Sequence, residues 1–270
     1  MLIKIGFDIA FTATRPTPMV VMLSVHPSRV ADLVGPENIV CDPPTPLHFY
    51  HDSFGNFCGR LMVPTGRLLL SNHAVVRDSG LPDEVAPDAQ QIPVEHLPDE
   101  VILFLLASRY CETDRMMDLA WSLFKDTPPG WGRVQAICDY VNSHMTFGYQ
   151  FAAPTKSAHD AHGERRGVCR DFAHLAVTLC RCMNIPARYC TGYLGDIGVP
   201  PEDSPMDFSA WFEVYLSGRW FTFDARHNTP RIGRILMGRG RDAADVPLAT
   251  SFGRTELSEF KVYTDAVTGG

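Results

Sequence analysis

The sequence predicts an α+β fold: an N-terminal antiparallel β-sandwich, then a core in which helices come first and pack on an antiparallel sheet. Three observations carry that expectation. Residues 1–90 fall into short apolar runs broken at intervals by Gly, Pro, Asn and Asp, the punctuation of strands and tight turns. Between residues 113 and 183 apolar positions recur with the spacing of helical faces. From residue 187 to 224 the chain returns to the alternation and aromatic enrichment of strands.

In chain order, Met1 to Asp8 alternates like a strand, and Val20 to Val25, Leu47 to His51 and Gly66 to Leu70 are further strand-like runs. Asp52-Ser53-Phe54-Gly55-Asn56 reads as a turn. Residues 81–99 are rich in proline and acidic side chains, the composition of an exposed, solvated connector. The expected division is therefore a β-rich unit over 1–90 and a core over 91–270.

Thr113 is placed to cap a helix carrying Met116, Met117, Leu119, Ala120, Leu123 and Phe124. After Pro128-Pro129-Gly130 a second helix carries Val134, Ile137, Cys138 and Val141, with His144 near its end. Thr146 to Tyr149 reads as extended, and Ala152 to Glu164 as a loop exposing His159 and His162. A third helix starts at Cys169 and holds Phe172, Leu175, Ala176, Leu179, Cys180 and Met183 on one face. It stops at Asn184, because Pro186 cannot continue it. Ala187 to Tyr193 begins a sheet that the hairpin Ala210–Leu216, Ser217-Gly218, Arg219–Asp224 completes. Residues 231–240, rich in Arg and Gly, read as a mobile basic loop.

Cys169 is the candidate nucleophile. A helix N-terminus carries partial positive charge, which favours a thiolate. Arg165, Arg166 and Arg170 add charge nearby, and Gly167 permits a close backbone approach. The same N–H groups suit an oxyanion on a substrate carbonyl. In the hairpin register Leu216 pairs with Arg219, so Ser209 and Asp224 project from one face as diagonal neighbours. A histidine at 209 would complete a nucleophile, base and orienting carboxylate, but the residue is serine. His227 falls on the face opposite Asp224 in that register and reads as a loop histidine, unless the strand bends after Asp224.

The net charge of −7 argues against nucleic acid and against an anionic membrane surface as partners. The longest apolar run, Val101 to Ala107, is far too short to span a bilayer. With no secretory leader pattern at the start, the expected location is cytoplasmic. The eight cysteines are irregularly spaced and expected to remain thiols. No metal site is expected, since Cys180 and Cys182 point to different sides of a helix, and no cofactor is expected.

Three blocks resemble the bacterial transglutaminase-like family, whose members are described as candidate cysteine proteases. They are Gly167 to Ala173, Ala210 to Leu216 and Trp220 to Ala225, joined by Ser108 to Asp114 and Asp52 to Asn56 upstream. The resemblance implies a papain-like core with a Cys–His–Asp triad. It also implies hydrolysis, deamidation or acyl transfer at amide bonds of a peptide or protein, through a thioester. Carried over by position, the nucleophile is Cys169 and the orienting acid Asp224, while the family histidine's position holds Ser209. A serine hydroxyl is too weakly basic to take a thiol proton, and loss of a triad base typically costs roughly three to six decades in turnover. The expectation is an enzyme impaired at its base; the alternative is an inactive paralogue that binds a peptide or partner protein. Tyr149 is expected as an oxyanion or substrate contact, and Trp211, with Trp220, as the wall of an acyl pocket.

Overall fold

The computed structural model describes residues 1–201 and 206–267. Strand β1 (Leu2–Ala13) alternates Ile3, Ile5, Phe7, Ile9 and Phe11 into a buried core, as period-two patterning requires. The other N-terminal strands are β2 (Thr17–Val21), β3 (Val40–Asp42), β4 (His48–His51), β5 (Phe57–Val63) and β6 (Gly66–Arg77). Strand β6 runs well beyond its apolar start because β1 pairs with it throughout, from Leu2↔Arg77 to Ala13↔Gly66. The Asp52–Asn56 turn is closed by the Asp52 carboxylate, which accepts from the Phe54 and Asn56 N–H groups at 2.9 Å each.

The core begins with helix α1 (Asp99–Ile102), followed by α2 (Thr113–Phe124) and α3 (Trp131–His144). The short parallel strands β7 (Thr146–Phe147) and β8 (Arg166–Gly167) flank helix α4 (Ala158–Glu164). Helix α5 (Cys169–Cys182) then leads to β9 (Ala187–Tyr193), β10 (Ser209–Leu216), β11 (Arg219–Phe223) and β12 (Ile235–Gly240), and the chain ends with β13 (Ala249–Ser251) and β14 (Thr255–Ala266). The core sheet has the order β11-β10-β9-β12. Helix α5 is buried from Asp171 to Cys182. Its Phe172, Leu175, Ala176 and Leu179 share one core with Phe212, Val214, Phe221 and Phe223 of the hairpin and with α2 and α3. Among the described residues no helix is long and apolar enough to cross a membrane.

Several expectations change. The last strands return to the first sheets: β14 pairs with β1 from Ile3↔Ala266 to Ala13↔Thr255, and β13 pairs with β2. The sheet orders are therefore β14-β1-β6-β3 and β13-β2-β5-β4, and a boundary at residue 90 does not separate them from the core's chain. The connector over 81–99 is exposed along most of its length, as expected, but is anchored at a few points. Asp83 binds the Arg234 side chain and the Arg231 N–H, and Trp131 donates its N–H to the Ala89 carbonyl at 2.9 Å. Thr113 is the first residue of α2 and makes no cap; Glu112 holds that position. The stretch 152–164 contains α4, whose start is closed by reciprocal bonds between Ser157 and Asp160. Its His162 is half-buried and bonds the Tyr140 hydroxyl at 2.8 Å. The Arg- and Gly-rich segment becomes β12, with Arg231 and Arg234 buried just ahead of it.

The hairpin register is as expected, with Leu216↔Arg219 and positive φ at both Ser217 and Gly218, the type I′ turn that suits strand twist. The ladder ends at Phe212↔Phe223. At Asp224 the chain leaves the sheet in a turn closed by the Asn228 N–H on the Asp224 carbonyl at 2.8 Å.

Candidate active site

Val168 is the extended N-cap residue of α5, and its N–H donates to Asp171 Oδ2 at 2.9 Å. Gly167 is required by that arrangement, since a Cβ there would lie 2.4 Å from Asp171 Oδ2 and 2.6 Å from Asp171 Cβ. Cys169 is thereby held at the first position of α5, half-buried beside Ala173, Tyr189 and Ala210. It lines two adjoining cavities. One, of about 500 Å³, is walled by polar groups including Asp207, Arg226 and His227. The other, of about 670 Å³, is walled largely by apolar side chains such as Phe11, Leu23, Leu248 and Phe260.

The electrostatics of the thiol differ from the expectation. Arg165 and Arg166 are exposed, and the Arg166 guanidinium lies over the Phe151 ring at 5.1 Å. Arg170 is drawn to the Ala153 carbonyl and the Tyr110 ring. Burial pushes the Cys169 thiol up to about 11, and the Asp207 carboxylate adds to that; Arg226 and the Ala210 N–H work in the other direction. The resting thiol is therefore protonated at neutral pH, and a base has to remove its proton. Asp207 is itself pushed up to about 6, mainly by burial, against the Phe208 N–H and Arg226.

Ser209 is buried and lines both cavities, and its Oγ has no hydrogen-bond partner among the described residues. Tyr149, 39% exposed, also lines both. Trp211 does not share that setting. It is buried with Cys190 and Leu236, has the Arg234 guanidinium 5.1 Å from its ring, and lines a separate pocket with Asp83 and Glu213. Trp220 packs on Phe104 and Tyr215.

Asp224 is the most heavily bonded acid of the region. Its Oδ1 accepts from the Arg226 N–H at 2.9 Å and the His227 N–H at 3.1 Å. Its Oδ2 meets His227 Nδ1 at 2.8 Å and the Arg234 guanidinium at 2.9 Å. Burial opposes the charge, but Arg234 and the His227 bonds outweigh it and hold the carboxyl well below the usual carboxylate range. His227 thus sits on Asp224, against the parity argument, because strand alternation ends with the ladder at Phe223. A signal was present in the sequence: Asp-Ala-Arg-His-Asn followed by Thr-Pro is a turn composition, and an Asx-type turn folds residue i+3 back onto the aspartate. No local signal in the sequence marks Asp207 or Arg234 as part of the site.

Residues 119–225 match the transglutaminase-like superfamily. The structure of a candidate cysteine protease from Cytophaga hutchinsonii superposes with a TM-score of 0.86 at 30% identity, over 100% of this chain and 92% of that one. This chain belongs to the transglutaminase-like superfamily. An uncharacterised protein of Mycobacterium leprae is 36% identical over 94 residues, 32% of each chain. Uncharacterised proteins of Mycobacterium bovis and Mycobacterium tuberculosis are 38% identical over 92 residues, 31% of this chain and 29% of theirs. The chain spans about a third of the length of these mycobacterial relatives. Within this superfamily member, the site gathers Cys169, Ser209, Tyr149 and His227 at one cavity and leaves Trp211 outside it.

Proposed function

We propose that this chain is a cysteine-dependent hydrolase or acyl transferase of amide bonds in a peptide or protein, working through a thioester at Cys169. The observation that supports this most is the placement of the Cys169 sulfur at the N-terminus of α5, facing the Ala210 N–H, where two cavities of about 500 and 670 Å³ meet. Cavities of this size hold peptide-like ligands. Once deprotonated, the sulfur attacks the amide carbon. The C–S bond forms as the carbonyl electron pair moves to oxygen. Collapse of that oxyanion breaks the C–N bond, and the amine leaves with one proton. Water or a second amine then attacks the thioester and frees the thiol. The apolar cavity suits the acyl portion, and the polar one suits an incoming nucleophile.

The test is turnover of fluorogenic peptide amides and of a glutaminyl peptide with hydroxylamine, for the wild-type protein and for Cys169→Ala. Loss of all turnover in Cys169→Ala is expected, and equal turnover in both would overturn the reading. Ser209 favours a second reading, a non-catalytic paralogue with a peptide-binding groove. That reading requires peptide binding that survives Cys169→Ala, with no turnover from wild type or from Ser209→His.

A further inference from the structure

Within the cysteine chemistry proposed above, on which this inference rests, we infer that His227, oriented by Asp224, takes the Cys169 proton and returns it to the leaving amine, replacing the missing imidazole at position 209. Three observations lead there. The first is placement: among the described residues His227 is the histidine that lines the same cavity as Cys169, Ser209 and Tyr149. His174 lies fully buried inside α5 with its Nε2 accepting the Ala243 N–H, and His144 bonds the His162 carbonyl beyond α3.

The second is orientation. With Asp224 ionised, the 2.8 Å contact makes His227 Nδ1 the donor and Asp224 Oδ2 the acceptor. The lone pair then resides on Nε2, which is the tautomer a base needs. The carboxylate that fixes it is itself immobilised by Arg234 and two backbone N–H groups. The His227 side chain is only 14% exposed, so its ring is held rather than free to swing in solvent.

The third is room. Position 209 carries a small side chain whose buried Oγ lacks a partner among the described residues. A serine there leaves space at the cavity wall and a hydroxyl to bond a passing donor. Asp207 is the competing base beside the thiol. A carboxylate, however, becomes neutral on accepting the proton and offers the thiolate no cation, whereas an imidazolium does. The charged and titratable groups around the imidazole are Asp207, Asp224, Arg226, Arg231 and Arg234, with Tyr149, Asp196 and Asp265 on the cavity wall.

The proton balance closes. Nε2 accepts the thiol hydrogen, and the cation formed is countered by Asp224 and by the thiolate. The sulfur attacks the carbonyl carbon, and Nε2–H then protonates the departing nitrogen as the C–N bond breaks. Deacylation repeats the sequence with water or an amine in place of the thiol.

The experiment is the pH profile of Cys169 modification by iodoacetamide, between pH 5 and 10, with circular dichroism as a check on folding. The proteins are wild type, His227→Gln, Ser209→His and the double variant His227→Gln/Ser209→His. Wild type should show a reactive limb at lower pH than the thiol's own ionisation, in addition to that ionisation. His227→Gln should lose that limb, with a fall on the order of 100-fold at pH 7, and keep the high-pH limb. The double variant should regain part of the low limb by offering an imidazole from position 209. A His227→Gln profile that superimposes on a reactive wild type overturns the assignment of His227 while leaving the cysteine chemistry standing. So does a fall that is uniform across the whole pH range, which marks a structural role. Reactivity no greater than that of free cysteine in both wild type and Ser209→His overturns the cysteine chemistry as well.

Discussion

Arg234 and Asp224 meet at 2.9 Å with side chains only 6% and 3% exposed, so the acid that orients His227 is anchored by a cation that water barely reaches. The same guanidinium bonds Asp83 in the segment ahead of the core, at 2.8 Å. A single arginine therefore ties the connector to the turn that carries the candidate imidazole. Replacing it with methionine strands two carboxylates, one of them deeply buried. Breaking such a pair from one side costs about 3–5 kcal/mol. Arg234→Met should lower the urea midpoint accordingly, whereas Arg219→Met, which breaks an exposed pair with Glu84, should barely move it.

Acid should act on the same cluster. Asp224 titrates far below its unfolded value of about 3.9, because Arg234 and His227 overcome the burial that would otherwise raise it. A depressed carboxyl contributes stability that is complete above the unfolded pKa and is lost as pH falls through the folded one. Thermal unfolding followed from pH 6 down to pH 2 should show a decline below about pH 4 in wild type. In Asp224→Asn the slope of that decline should be smaller; an equal slope would show that Asp224 is not the group responsible.

Asp207 makes the opposite prediction. Its carboxylate raises the thiol of Cys169, and burial pushes its own pKa up to about 6. Asp207→Asn removes a negative charge beside the sulfur, so the high-pH limb of iodoacetamide modification should move to lower pH and the rate at pH 8 should rise several-fold. A falling rate at pH 8 would mean that Asp207 assists ionisation instead. The stability effect has its own sign: a raised carboxyl stabilises the fold below its unfolded pKa and loses that contribution as pH climbs through about 6.

How far these relationships are readable from sequence depends on whether they are local. Cys169 at a helix start follows from periodicity downstream and Pro186 beyond it, and the hairpin register follows from Ser217-Gly218 alone. Strand parity does not locate His227, because the ladder stops at Phe223. Arg231 and Arg234 look like surface residues in composition. Partners elsewhere in the chain bury them: the Arg234 guanidinium meets Asp83, about 150 positions away, and Asp224, while the Arg231 guanidinium bonds the Gly195 carbonyl and pairs with Asp196. The state of the thiol is not legible in the sequence for the same reason: its strongest electrostatic neighbours, Asp207 and Arg226, come from elsewhere in the chain, and Arg165 and Arg166 are exposed.

The C-terminal strand supplies another test of long-range order. β14 covers one full edge of β1, from Ile3↔Ala266 to Ala13↔Thr255, and its Val262 enters the sandwich core. Truncation after residue 253 would bare the edge of a long strand whose inward face is apolar, an invitation to strand pairing between molecules. The truncated protein should aggregate on expression or elute as high-mass species by size-exclusion chromatography. A monomer with unchanged thermal midpoint would show that β14 is dispensable.

Gly167→Ala probes the platform beneath the sulfur. The new methyl would fall 2.4 Å from Asp171 Oδ2 and 2.6 Å from Asp171 Cβ. Asp171 is buried and short, so it cannot swing clear without giving up the 2.9 Å bond it accepts from the Val168 N–H. Loss of that cap and the accompanying displacement should cost about 1–3 kcal/mol. The first turn of α5 carries Cys169, so the same shift should move the sulfur relative to the Ala210 N–H and the cavity wall. Modification of Cys169 by iodoacetamide at pH 7 should slow by a larger factor than a loss of stability alone predicts while the protein is still folded. Asp171→Asn separates the two effects. It keeps the side chain's volume and replaces the charged acceptor by a neutral one, so it should weaken the cap with little change in sulfur position. If Gly167→Ala and Asp171→Asn slow modification equally, the electrostatics of the cap govern the thiol; a much greater slowing in Gly167→Ala places the control in the geometry of the helix start.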